Sequence, residues 1–297
     1  MFHDIRDISD TEYPNRYKLR SFLDKKQFEH QIDIILKKYT VISSLDIFNL
    51  DLKNDSNHYA TLTFDDGLSD HYWVYKYLKS INISGTFLVP SSPILNHTVM
   101  NTHKIQFILS STNEKKIVEE ILSNFNNKNE LWKKYSYTNW KDNWWSEEMI
   151  FITNFLRNHK TESFDNYEYS DILFDKYVTK NENDFAKDFY LNTQQIEEMS
   201  EYMIIGGHGD ISENLLLIDD VDSDIKKSYD FIKNYNNSFI FSYPNGGFSE
   251  DIKSIMRKYG CVLSYTTKQF TITDIDDIDY LEFPRYDAPQ KISLPYL

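Results

Sequence analysis

Cysteine is almost missing from this chain of 297 residues. The single Cys261 excludes an internal disulfide framework and any zinc cluster built on thiolates, and within Cys261-Val262-Leu263 it reads as a small core residue. Long apolar runs are missing too. Nothing approaches the ~18 consecutive apolar residues of a membrane span, and acidic residues interrupt Met1-Phe2-His3-Asp4-Ile5-Arg6-Asp7 where a secretory signal needs an apolar stretch. A cytoplasmic protein without a transmembrane segment is expected. Basic charge is in deficit, 32 Lys and Arg against 46 Asp and Glu; the net charge of -14 repels polyphosphate and argues against a nucleic-acid partner. What the chain does have is a core: 40% hydrophobic and 16% aromatic residues exclude wholesale disorder, and the length suffices for one large α/β domain or two ordinary ones.

Residues 1–58 are polar and mixed, with an apolar stripe at Phe28, Ile32, Ile35 and Leu36 that predicts a helix over 26–39. They read as a leading cap. A strand over 59–64, a helix over 70–80 and a strand over 85–89 make a strand-helix-strand unit, the seed of a parallel sheet. From about 103 to 201 the strand signal gives way to helical spacing, as in Ile105, Ile108 and Leu109. Four of the five tryptophans (Trp132, Trp140, Trp144, Trp145) lie there, and packing of these helices is their expected use. Alternation then resumes: strand 203–205, helix 215–235, strand 239–243, helix 249–259, strand 261–264 and a last strand near 280–283. The acidic run Asp274, Asp276, Asp277 and Asp279 lacks the glycine and terminal glutamate of a calcium loop and reads as solvated.

Three polar segments follow apolar strands. In Thr63-Phe64-Asp65-Asp66-Gly67 two adjacent carboxylates end a buried strand, which calls for a metal, an arginine partner or a shared proton; alternatively one of them caps the helix that follows. The turn at Gly67 must bring both carboxylates to one side. His208, in Gly206-Gly207-His208-Gly209-Asp210, is either a structural histidine or, with Asp66, half of a divalent-metal site. The third segment, Ser242-Tyr243-Pro244-Asn245-Gly246-Gly247, is a strand-end turn.

Together, in this order, the three segments resemble the polysaccharide deacetylases, the NodB-like carbohydrate esterases. The first motif, T-F-D-D-G, is complete; the second begins at His208 and meets Leu215; the third appears as Tyr243-Pro244-Asn245-Gly246. The likeness covers about residues 59–90 and 190–287, and His103-Lys104-Ile105-Gln106-Phe107-Ile108-Leu109 is similar to the subgroup of surface-polysaccharide clusters, in lipopolysaccharide or capsule biosynthesis. It implies an α/β fold, a distorted (β/α) barrel of the NodB type over 59–297 with a large helical insertion at about 91–195.

The resemblance also implies roles. Asp65 would be the general base and Asp66 and His208 would hold a divalent metal (Zn, or Ni, Co or Mn), while Tyr243, Pro244, Asn245 and Gly246 would face the substrate. Three positions depart from the pattern. Ser212 stands where a second metal histidine is expected, leaving Ser212 itself, Asp210, Glu213 or His103 as replacement ligands. Ser242 replaces the motif arginine, and Arg285 is expected to partner Asp65 instead. No histidine follows His208, so water, a tyrosine or an earlier histidine such as His71 or His103 would protonate the leaving amine. The expected function is removal of an N-acetyl or other N-acyl group from an amino sugar, nucleotide- or lipid-linked, in surface-polysaccharide biosynthesis. The alternatives are an impaired barrel that binds or assembles glycans, and a hydrolase of non-sugar amides.

Overall fold

A computed structural model describes residues 1–19, 22–50, 57–137, 145–161, 164–275 and 278–288. The chain divides into two compact units, one of residues 1–6, 23–98 and 186–297, the other of 7–22 and 99–185.

The first unit is mixed α/β. Its five-stranded sheet consists of β1 (Thr63–Asp65), β2 (Thr86–Val89), β3 (Ile204–Gly207), β4 (Phe239–Ser242) and β5 (Cys261–Tyr265), each parallel to the next and arranged in sequence order. The strands read as apolar runs because both faces are covered, as in parallel sheets generally. On one face Leu88, Ile204, Ile240, Leu263, Tyr265 and Phe283 form a core. On the other, Phe64 stacks on Phe87 at 4.7 Å and on Phe2 at 5.4 Å, with Phe28 of helix α1 (Lys25–Lys38) edge-on to Phe2. Asp24 opens α1 with a capping box to Gln27, which fixes the start that the apolar stripe alone left approximate. Helices α2 (His71–Ser80), α3 (Val221–Ile232) and α4 (Glu250–Lys258) complete the elements used below.

Several sequence expectations need correction. The strand over 59–64 splits in two: Tyr59–Ala60 pairs with Thr40–Val41, and only Thr63–Asp65 joins the main sheet. The helix expected over 215–235 is a 3-10 turn, Leu215–Leu217, followed by α3, because Asn214 and Asp220 each cap a separate start. The strand expected near 280–283 is a 3-10 turn, Tyr280–Glu282, opened by Asp279; only Phe283 pairs, with Tyr265. Of the expected distorted barrel, the structure shows the five-stranded parallel sheet. No ladder joins β1 to β5 among the described residues; their outer edges are extended by bridges Phe2↔Phe64 and Tyr265↔Phe283, and Met1 exchanges backbone bonds with Tyr286 and Ala288.

The second unit is helical, as the spacing over 103–201 predicts for its part of the chain. Helices Asn101–Ser111, Glu114–Ser123, Lys128–Tyr135, Glu147–Asn158 and Asn166–Tyr177 bury apolar faces through Ile105, Ile108, Ile117, Ile121, Phe151 and Phe155. Trp132 stacks on Phe151 at 5.2 Å, a packing role. Trp140 and Trp144 lie outside the described residues, as do Asp276 and Asp277.

Candidate active site

The carboxyl ends of β1, β3 and β4 carry the polar cluster. Asp65 is the last residue of β1, and the chain then turns through Asp66 (φ 80°) and Gly67 (φ 62°). The left-handed conformation at Asp66 costs about 1–2 kcal/mol for a residue with a Cβ, and from it the carboxylate stands 3.4 Å from His208 Nε2. Gly67 has no room for a Cβ, which would stand 2.8 Å from Val89 Cγ1. Neither carboxylate caps α2. That helix starts at His71, and Asp70 at its N-cap makes no side-chain cap bond.

Asp65 is 2% exposed and is gripped by Arg285: Nη1 donates to Oδ1 at 2.7 Å and Nη2 to Oδ2 at 2.9 Å. The guanidinium also donates to Ser242 Oγ (2.7 Å), Thr63 Oγ1 (3.2 Å) and the Thr266 carbonyl (3.2 Å), so each of its five N–H groups has an acceptor. Ser242 Oγ donates onward to Asp65 Oδ2 at 3.2 Å. Burial pushes the Asp65 carboxyl up, but Arg285 and His208 outweigh it and hold it down at about 2. Arg285 thus occupies the place expected of it, and Ser242, a serine where the motif has arginine, becomes the link between the two charges.

His208 follows β3, whose last residue Gly207 admits no Cβ because Ser228 Oγ lies 2.4 Å from where it would stand. Its Nδ1 donates to the Ser242 carbonyl at 2.9 Å, which leaves the Nε2 lone pair facing Asp66 Oδ1 at 3.4 Å. Burial opposes protonation of this imidazole, while Asp65 and Asp66 favour it more, so its pKa lies above the ordinary value. The 3.4 Å separation exceeds a charge-assisted hydrogen bond, ~2.7–2.9 Å. It matches the edge of a tetrahedral shell whose donors stand ~2.0–2.1 Å from a cation, about 3.3–3.4 Å. The backbone acceptor on Nδ1 orients the ring as it does for metal-ligating histidines. These two donors therefore fit two corners of a divalent-metal site.

Of the residues named as replacements, Asp210, Glu213 and His103 form no metal-holding group with Asp66 and His208. Ser212 is buried with φ 55°. Asp210 spends its carboxylate on Ser91 Oγ (2.6 Å) and Lys227 Nζ (2.8 Å), and Glu213 Oε1 accepts from the Asn214 amide. His103 is buried on helix Asn101–Ser111 of the helical unit. Among the described residues no group of three or more His, Cys, Asp or Glu is placed to hold a metal. In the third motif Tyr243 is 1% exposed and stacks on Phe248 at 5.0 Å, so it packs; Pro244 and Gly246 bound a 3-10 turn that leaves Asn245 (φ 52°) exposed. Sequence reading passed over His3, which stands next to Asp65 across the Phe2↔Phe64 bridge; nothing in its surroundings in the sequence marks it.

No protein-family model and no curated protein matches the sequence. Among solved structures, the Streptococcus pyogenes deacetylase PplD in complex with acetate is similar at 15% identity and a TM-score of 0.56, over 99% of this chain and 92% of that one. A de-N-acetylase from Aggregatibacter actinomycetemcomitans is similar at 14% identity and a TM-score of 0.54, over 99% and 95%. No helix among the described residues is long and apolar enough to cross a membrane. The chain has the fold of the polysaccharide deacetylases.

Proposed function

We propose that this protein is a divalent-metal-dependent hydrolase that removes an N-acetyl group from an amino sugar during surface-polysaccharide biosynthesis, acting in the cytoplasm on a nucleotide- or lipid-linked substrate. The observation that carries the reading is the convergence, at the carboxyl ends of β1 and β3, of a carboxylate kept ionised by Arg285 and a carboxylate-imidazole pair at metal-ligand spacing. The linked outer edges of the sheet and the helical unit support the finer architecture, a distorted barrel with a helical insertion.

Asp66 and His208 would hold the cation, with water or substrate oxygens completing its shell. When bound, it supplies Lewis acidity that polarises the amide carbonyl and acidifies water. Asp65, kept ionised by Arg285, is the group that would take the proton of the attacking water. Arg285 and Ser242 keep that carboxylate oriented toward the cluster. The products are acetate and a free amine.

Ser212 in place of a second histidine favours the competing reading, a glycan-binding protein that kept the scaffold and lost metal competence. Calorimetric titration with zinc, nickel, cobalt and manganese separates the two. About one equivalent bound by the native chain and lost in Asp66→Ala supports the hydrolase; less than about a tenth of an equivalent, unchanged by the substitution, supports the binding protein. In parallel, acetate release from N-acetylated amino-sugar nucleotides should fall about 100-fold or more in Asp65→Asn. Equal rates would remove Asp65 as the base.

A further inference from the structure

We propose that His3 is the proton donor of this site, the group that protonates the leaving nitrogen; the assignment rests on the hydrolase reading above. The argument begins with register. Phe2 N donates to the Thr63 carbonyl at 2.8 Å and Asp65 N to the Phe2 carbonyl at 2.9 Å, a parallel pairing that extends the sheet beyond β1. Phe2 and Phe64 stack on the face covered by α1. Side chains alternate along a strand, so His3 and Asp65 share the opposite face, which carries Arg285 and Ser242. Neighbouring strands lie ~4.8 Å apart, which places the imidazole beside Asp65, and the two interact electrostatically.

The surrounding groups distinguish His3 from the other histidines of this unit near the cluster. His71 of α2 is fully buried and donates Nε2–H to the His3 carbonyl at 2.9 Å; burial lowers its pKa, and its one hydrogen bond fixes the His3 backbone. His208 Nδ1 is committed to the Ser242 carbonyl. His3 is only half-buried. The charged and titratable groups near it include Asp65 from β1, His71 from α2, the adjoining Asp4 and, two residues back, the Met1 amine, which itself interacts with Arg285 and Asp65; Arg6 is bound to Asp70.

The chemistry needs such a donor. An alkylamide nitrogen leaves as an amine only when protonated, whereas a phenolate leaves unaided. Water adds its oxygen to the carbonyl carbon and gives a proton to Asp65. The carbon–nitrogen bond breaks as the His3 imidazolium transfers its proton to nitrogen. Solvent then returns a proton to His3 and accepts the one held on Asp65, which closes the cycle without an outside reactant.

The test compares an amide with an ester. Native protein and His3→Gln are assayed on an N-acetylated amino sugar and on 4-nitrophenyl acetate, with melting temperatures measured in parallel. The expected result is an amide rate at least ~100-fold lower in His3→Gln, an ester rate within about threefold of native, and recovery of the amide rate in His3→Ala on adding imidazole. Equal losses on both substrates without imidazole rescue would overturn the assignment while leaving the hydrolase standing. A native protein inactive on both substrates would instead bring down the hydrolase reading, and His3 with it.

Discussion

The two halves of the polar cluster are built to different standards. Around Asp65 every donor of Arg285 has an acceptor, and Ser242 closes a second link, so charge, orientation and burial are mutually satisfied. Around Asp66 the His208 imidazole stands at 3.4 Å, the backbone is left-handed, and a serine occupies the position where the motif has a histidine. The first half holds itself together. The second holds a carboxylate and an imidazole at metal-ligand spacing.

Breaking the saturated half should have the largest effect. Arg285→Ala leaves the Asp65 carboxylate buried and unpaired, and the expected loss is about 3–5 kcal/mol of unfolding free energy at pH 7. The sign with pH follows from the depressed carboxyl. Its folded pKa of about 2 lies below the ordinary value of 3.8, so the pair stabilises the protein above that ordinary value and ceases to do so as pH falls through about 2. Denaturation by urea at pH 7 and at pH 3 should show the gap between native and variant narrowing in acid. Adding Asp65→Asn to Arg285→Ala should recover part of the loss. A double variant as weak as the sum of the singles would mean that the two side chains are not coupled.

This contrast explains what the sequence could reveal. Strands β1 to β5 and α1, α2 and α4 were legible because apolar runs and 3.6-residue stripes record burial directly. Asp65, Asp66 and His208 were legible because glycines and strand ends surround them. The split of the 59–64 strand was not, because pairing of Tyr59–Ala60 with Thr40–Val41 depends on a partner nineteen residues away. The break at Ile218 was hidden by the leucines before it, which continue the apolar pattern while Asp220 restarts the helix. His3 escaped notice because its significance comes only from register with a strand more than sixty residues later. Local pattern records what is buried; it does not record which strand edge lies alongside.

Completing the sparse half tests it from the other side. Ser212→His supplies the expected third donor, and if the backbone at φ 55° still aims it at Asp66 and His208, zinc affinity should rise about 10- to 100-fold by titration. Unchanged affinity would mean that this segment no longer faces the site. The left-handed backbone also makes histidine costly there, so Ser212→Asn, a residue that tolerates φ > 0, serves as the control for strain alone.

The smallest effect concerns the loop that carries the sparse half. Asp224 of α3 accepts from the Asp210 amide at 3.0 Å and weakly from Ile211 at 3.4 Å, while its Oδ1 is buried without a hydrogen bond. Burial pushes this carboxyl up to about 6, against the two amides that pull it down. A folded pKa above the ordinary 3.8 means that its protonated form stabilises the fold below that value, and that this contribution is lost as pH rises through about 6. At pH 8 the charge is therefore a burden. Asp224→Asn keeps one oxygen for the amides and removes the charge, so it should stabilise the protein by about 1–2 kcal/mol at pH 8 and by nothing at pH 4. A loss of stability at pH 8 would show instead that the ionised oxygen organises the 209–211 turn, and that the sparse half too depends on a charge it already contains.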